Sequence, residues 1–273
     1  MLNLPSPEDD GLLIPNVGEW SKDKHHFLRR YIDAFTTAMK DKHWVGLHYI
    51  DLFAGAGIEK LDKSGELDWG SPLIAAHAPF TRLHLCEKNL TKFQALKERI
   101  KRLNLPTTPQ VLHGDSNNMV GAIVKEIPPR TLSLAFLDPY GLHLHFETIQ
   151  RLSSLRVDLI IFFPDHVDAL RNWEKVYLGQ EDSNLDLVLG KDVDWYRAIH
   201  DSPHEKWPDV LRELYENQLR TLGYKYFDDE RISNKGRFLY RLIFCAKHKL
   251  AAKLWRKVAK KKPDGQYTFD FGS

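Results

Sequence analysis

The run Asp51-Leu52-Phe53-Ala54-Gly55-Ala56-Gly57 closes an apolar-leaning stretch, His48-Tyr49-Ile50, with a carboxylate and then a loop carrying Gly55 and Gly57. Glycines there let backbone approach a ligand closely. Three more acids, Glu87, Asp115 and Asp138, follow later stretches that also read as strands. In open α/β sheets ligands sit beyond the carboxyl ends of the strands, so the four acids would share one edge. Each suits a different part of a nucleoside-bearing cofactor. Asp51 can accept from a cationic amino group, directly or through water. Glu87 can accept both ribose hydroxyls. Asp115 can take an adenine exocyclic amine, with the Ser116 backbone beside it for a ring nitrogen. Any one of them alone also reads as a helix cap or a solvated charge. A nicotinamide site is disfavoured, because Phe53 stands where the first glycine of G-x-G-x-x-G would fall and Ile58-Glu59-Lys60 follows Gly57.

The Asp51 to Gly57 run resembles the first motif of S-adenosylmethionine (SAM) dependent methyltransferases, with Asp51, Phe53, Ala54, Gly55 and Gly57 at the cofactor. Leu137-Asp138-Pro139-Tyr140-Gly141 resembles the Asp/Asn-Pro-Pro-Tyr motif of methyltransferases acting on exocyclic or planar nitrogens. With one proline, it is more similar to a group of transfer-RNA guanine-N2 methyltransferases than to the DNA adenine enzymes. Such an amine must present its lone pair and shed a proton. The Asp138 carboxylate and Pro139 carbonyl can accept its hydrogens, and Tyr140 can stack on the ring bearing it. A buried tight turn with a packed tyrosine is the competing reading. The stretch from Ile58 to Gly70 reads as a long loop that would place Trp69 or Ser71 beside the methionine end.

Strands are expected at Tyr49 to Asp51, Arg82 to Glu87, Gln110 to Gly114, Leu132 to Leu137 and Val157 to Phe163, alternating with helices. Ser21 and Ser71 read as helix caps, with Phe27, Leu28, Tyr31, Ile32 and Phe35 on one face of the first helix. A helix from Trp207 to Leu222 precedes two runs that read as an antiparallel pair. The fold class is α/β: a doubly wound, mostly parallel, seven-stranded methyltransferase-like sheet closed by that pair, with a helical insertion after the fifth strand. Residues 1–20 read as a loose N-terminal arm and 21–246 as the methyltransferase-like domain. The insertion, 168–206, carries Trp173, Tyr177, Trp195 and Tyr196 as a candidate lid. Residues 247–273 read as a basic amphipathic helix and tail, with Leu250, Leu254 and Val258 on one face.

Charged residues make up 28% of the 273-residue chain and the net charge is +2, too small by itself to argue for nucleic acid. Cys86 and Cys245 lie in apolar runs and read as buried thiols of a reducing compartment. No run reaches the length of a membrane span and no signal-peptide pattern is present, so a cytoplasmic location is expected. His143 and His145 lack further ligands at metal spacing and read as loop residues, His25 and His26 as surface. Phe162 and Phe163 read as core.

Taken together, Trp20 with Lys24 and Tyr31, Asp51 to Gly57, Gly70-Ser71-Pro72-Leu73, Glu87-Lys88, Gly114-Asp115 and Leu137 to Gly141 resemble the three-Cys-motif partner protein family. The resemblance runs from about Trp20 to the C-terminus. It implies a methyltransferase-like fold and association with a three-cysteine, radical-SAM-like protein. It carries no substrate. Three functions remain open: an N-methyltransferase, an accessory subunit of such a partner, and a modifier of RNA or DNA.

Overall fold

A computed structural model describes residues 4–163, 183–234, 237–263 and 265–267. The chain runs β1 (Asn16–Val17), α1 (Ser21–Met39), β2 (Leu47–Asp51), β3 (Ile58–Leu61), β4 (Leu67–Trp69), α2 (Ser71–Ala76), β5 (Arg82–Glu87) and α3 (Leu90–Arg102). It continues with β6 (Gln110–His113), α4 (Ser116–Lys125), β7 (Leu132–Leu137), α5 (Phe146–Leu152) and β8 (Arg156–Phe163). Then come α6 (Asn184–Leu189), α7 (Trp195–His200), α8 (Trp207–Thr221), β9 (Tyr226–Asn234), β10 (Arg237–Ala246) and α9 (Lys249–Ala259).

Seven strands form one sheet in the order β6-β5-β2-β7-β8-β10-β9. The first five are parallel, and β10 runs antiparallel to both β8 and β9. This is the expected methyltransferase-like sheet. Its centre is apolar on both faces because helices cover both: Leu134, Ala135, Phe136 and Leu137 of β7 are fully buried. The chain steps outward from β2 to β5 and β6, then crosses to β7 on the other side of β2. Strand order therefore reverses between β2 and β7, the point where open α/β sheets place their ligand crevice.

One face carries α1, α2, α3 and α9, the other α4, α5, α6 and α8. α1 buries the five apolar residues expected of it, Phe27 through Phe35. Tyr31 also donates to Asp158 of β8 at 2.9 Å, a polar tie inside the core. α9 packs Trp255 against Tyr31 and Phe244, with the last pair stacked at 4.7 Å. Its buried face is centred on Ala251, Ala252, Trp255 and Val258, leaving Leu250 and Leu254 half-buried at the margin.

Several expectations need correction. The Ile58 to Gly70 stretch is a β-hairpin, β3 against β4, with β1 added in parallel to β3. The N-terminal arm is tied down by a two-pronged Arg99–Asp10 ion pair at 2.6 and 2.8 Å. Arg99 also donates to the carbonyls of Leu13 and Ala56, joining α3, the arm and the glycine loop. Neither Ser21 nor Ser71 caps its helix: Trp20 and Gly70 hold those positions, and both serines donate to carboxylates elsewhere. His25 is buried rather than surface-exposed, 3.6 Å from Asp68. Of the insertion, Trp195 is a core residue bonded to Asp186 at 2.7 Å, while Trp173 and Tyr177 lie outside the described residues.

Candidate functional site

Asp51 ends β2 and is fully buried. One carboxylate oxygen accepts from the Phe53 N–H at 3.1 Å; the other accepts from the Ser71 hydroxyl at 2.6 Å and the Tyr49 hydroxyl at 3.3 Å. These bonds fold the chain sharply after the strand. The loop is then clipped to β5, with the Ala54 N–H on the Cys86 carbonyl at 2.9 Å. Gly55 and Gly57 both have left-handed backbone, φ +65° and +93°. A Cβ on Gly57 would strike Leu73 at 3.0 Å, whereas the place a Gly55 Cβ would take is open space. Bare backbone at Gly55 therefore faces room for a ligand. Burial pushes the Asp51 carboxyl up to about 7, against the bonds from Ser71 and Phe53, with the Asp138 charge adding to the rise. What Asp51 offers a cationic group is charge and loop shape, relayed through Ser71, rather than an exposed oxygen.

Glu87 ends β5, the neighbour of β2. Its carboxylate receives the Gly55 N–H at 2.8 Å and the Asn89 N–H at 2.7 Å, one on each oxygen. Each oxygen keeps a free lone pair, the pairing a vicinal diol needs. Asp115 follows β6, the next strand out, and caps α4 by accepting from the Asn117 N–H at 3.0 Å. Burial raises its carboxyl, but Lys88 at 3.0 Å and the Asn117 N–H outweigh that and hold it below the usual range. Ser116 is buried at the first turn of α4. The helix-cap reading of Asp115 is thus realised, and it leaves one oxygen, bonded to Lys88, at the edge of the crevice. Loop, diol acceptor and outer acid stand in sequence along β2, β5 and β6, a set of acceptors that fits a nucleoside bearing a cationic amino-acid end.

Across the strand reversal, Asp138 follows β7 and pairs with the ammonium of Lys24 from α1. Lys24 is buried, 5.5 Å above the Phe162 ring. Burial pulls its ammonium down, yet Asp138 and Glu59 together hold it above its ordinary value. Glu59 of β3 accepts from Ser21 at 2.7 Å. Burial raises Glu59, and the charges of His25 and Lys24 reverse that, so it stays ionised. Pro139 is buried, and Tyr140 is 94% exposed. The packed-tyrosine reading of this turn is therefore wrong. Tyr140 projects into solvent beside a buried proline.

Of the two residues expected beside the methionine end, Ser71 meets Asp51, while the Trp69 indole donates to the Pro5 carbonyl at 2.6 Å. The structure gives Lys24, known until then only from the family resemblance, its partner Asp138, and adds Glu59. Glu59 had no signal of its own, since a glutamate after a glycine loop carries no pattern until the fold brings it to Lys24. Among the described residues no group of His, Cys, Asp and Glu is placed to hold a metal ion. Cys86, on β5 behind Glu87, is inert: burial pushes its thiol up to about 12. A cleft of about 430 Å³ lined by Asp23, Phe27, Glu230 and Lys262 lies apart, with none of the strand-end acids in its wall. No helix among the described residues is long and apolar enough to cross a membrane.

No protein-family model matches the chain, and no curated protein sequence matches it. Solved structures do. Protein LPL1258 from Legionella pneumophila, of the family model DUF519, is 16% identical, with 91% of this chain covering 94% of that one at a TM-score of 0.52. An O-methyltransferase from Bacillus cereus in complex with SAH is 12% identical, covers 80% of each chain and has a TM-score of 0.47. TYW2 from M. jannaschii in complex with AdoMet is 11% identical, with 82% of this chain on 74% of that one and a TM-score of 0.41. At 16% identity the likeness to LPL1258 is one of fold.

Proposed function

We propose that this chain is a SAM-dependent methyltransferase whose acceptor is an exocyclic or planar amine on a nucleic-acid base. The observation that carries the cofactor reading is the Glu87 carboxylate, pinned by the Gly55 and Asn89 N–H groups at the end of β5 with a lone pair left on each oxygen. Pre-organised in this way, it accepts two ribose hydroxyls without rearranging. Phe53, Ala54, Gly55 and Gly57 give the methionine end a backbone floor, buried Asp51 sets its shape and charge, and Asp115 with Ser116 faces the base. Bound SAM supplies a methyl group on a cationic sulfur.

The acceptor side belongs to Asp138, Pro139 and Tyr140. Lys24 takes one oxygen of Asp138 and leaves the other for an N–H of the incoming amine. The Pro139 carbonyl takes the second N–H, which turns the nitrogen lone pair toward the cofactor side. Tyr140, exposed on the rim, stacks on the ring that carries the amine.

A second reading follows the family resemblance alone: the chain is the accessory partner of a three-cysteine, radical-SAM-like protein. Co-purification with such a protein, and no turnover alone, would favour it. The first experiment is calorimetric titration with SAM and with S-adenosylhomocysteine. Native protein binds both, and Glu87→Ala weakens binding roughly 100-fold, the worth of two hydrogen bonds to a charged group. Absence of binding to native protein would sink the cofactor reading.

A further inference from the structure

The exposed side of α9 has a composition unlike any other helix among the described residues. Between Lys247 and Lys262 there is no acid, and the helix proper reads Lys-Leu-Ala-Ala-Lys-Leu-Trp-Arg-Lys-Val-Ala. Lys249, Lys253, Arg256 and Lys257 are all exposed, and Lys260 continues the row one turn further. Their spacing of four, three and one puts them on a single stripe. From Lys249 to Lys260 the stripe is about 16 Å long at 1.5 Å per residue. On α3, by contrast, Glu98 pairs with Arg102 at 3.1 Å and breaks up the positive charge.

A second feature sits where the stripe ends. Tyr267 is 58% exposed and bridges back to Lys261, whose ammonium lies 5.9 Å from its ring. A row of cations leading to a half-exposed aromatic ring with one more cation, Lys261, on it is what a single strand needs, phosphates on the cations and a base on the ring. An anionic membrane is the other polyanion such a helix can meet. Membrane-surface helices insert an apolar face, and this one has spent its own: Trp255 is fully buried and Val258, Ala251 and Ala252 lie under the helix against α1 and the sheet.

We infer that the Lys249, Lys253, Arg256 and Lys257 face of α9, with Tyr267 at its end, is a docking surface for a single-stranded nucleic-acid segment. The inference deepens the acceptor reading above by giving the base's carrier strand a place to lie, but the surface needs no cofactor to bind.

The test is fluorescence anisotropy with a labelled single-stranded oligonucleotide, made as RNA and as DNA of one length, over a range of salt. The variant carries Lys249→Gln, Lys253→Gln, Arg256→Gln and Lys257→Gln. Its control, Lys42→Gln, Lys97→Gln, Lys101→Gln and Lys125→Gln, changes net charge equally on other exposed positions. Native protein should bind, and the stripe variant should lose at least tenfold in affinity while its salt slope falls by about 3, at ~0.7 per lost phosphate contact. The control should stay within about twofold of native. RNA and DNA arms that differ would name the carrier. The inference is overturned if native protein binds neither oligonucleotide, if control and stripe variants lose affinity alike, or if phosphatidylserine vesicles bind through the stripe and oligonucleotides do not. Should the fourfold variant fail to fold, Lys253→Glu with Lys257→Glu gives the same readout. Calorimetry with SAM reports separately on the cofactor site, so either reading can fail without the other.

Discussion

The two halves of the crevice are built on different principles. On the β2-β5-β6 side each acid is held by backbone N–H groups of its own or an adjacent loop: Phe53 on Asp51, Gly55 and Asn89 on Glu87, Asn117 on Asp115. Three of these bonds each lie within one loop and the fourth, Gly55 on Glu87, joins the loops after adjacent strands, so the sheet sets most of the geometry, with Ser71 on Asp51 and Lys88 on Asp115 completing it. On the β7-β8 side the single acid, Asp138, is held by a side chain from the far end of the sequence, Lys24 of α1. Its aromatic neighbour Tyr140 touches solvent rather than protein. A rigid half suits a ligand that every turnover shares. A half closed by one ion pair and one free ring suits a partner that has to come and go.

The largest effect expected from breaking this contrast is on transfer itself. Asp138→Ala should lower methyl transfer roughly 10²–10⁴-fold, the usual worth of a positioned proton acceptor. SAM affinity, measured by calorimetry, should stay within about twofold because the β2-β5-β6 acids are untouched. Loss of SAM binding in this variant would mean that Asp138 belongs to the cofactor half.

Next in size is a pH effect common to both halves. Burial raises Asp51 and Asp158 alike, each to about 7, with hydrogen bonds from Ser71 and Tyr31 respectively opposing the rise. A folded carboxyl that keeps its proton to about 7 while the unfolded one releases it near 3.8 favours the folded state at low pH. Stability from this source is complete below the unfolded value, drains away as pH rises toward 7 and is flat above. Each group contributes up to about 4 kcal/mol across that window. Asp158→Asn should remove its share, so urea midpoints between pH 4 and 7 fall less steeply than in the native protein. An unchanged slope would show that Asp158 ionises normally.

How much of this was legible beforehand follows the same division. The strands, their alternation with helices and the closing antiparallel pair came from apolar runs and turn residues, which act over short stretches. The placement of Asp51, Glu87, Asp115 and Asp138 at strand ends was readable for the same reason, since an acid closing an apolar run is a local pattern. Lys24, Glu59 and Ser71 were not readable as members of one cluster. They meet through the packing of α1 and the β3-β4 hairpin over the strand ends, and the hairpin itself was hidden in the Ile58 to Gly70 stretch, which read as a long loop. Capping was misread at Ser21 and Ser71 because the same hydroxyl that can cap a helix serves a carboxylate better when the fold supplies one at 2.7 or 2.6 Å.

That long-range tie can be sharpened by breaking it alone. Lys24→Met leaves Asp138 largely enclosed without a counter-ion, and leaves Glu59 short of one of its two cations. Loss of one partner of an enclosed pair costs about 3 kcal/mol. Lys24→Met with Asp138→Leu should recover most of it in thermal or urea unfolding, since both charges are then gone. A double variant no more stable than Lys24→Met would place the loss in the packing of Lys24 on Phe162 instead of the ion pair.

The smallest effect is expected at Tyr140, and it separates the two halves most cleanly. Its ring is almost wholly exposed, so Tyr140→Ala removes little buried surface and should shift unfolding by less than about 0.5 kcal/mol. SAM affinity should not move either, because no bond from Tyr140 reaches β2, β5 or β6. A stacked base, however, is worth about 1–3 kcal/mol, so binding of an acceptor oligonucleotide should weaken roughly tenfold, and Tyr140→Phe should restore it because stacking needs the ring and not the hydroxyl. If alanine weakened acceptor binding and phenylalanine failed to rescue it, the hydroxyl would be the contact. If alanine changed nothing, the exposed ring would have no part in the acceptor half, and the stripe on α9 with Tyr267 would carry the nucleic acid without it.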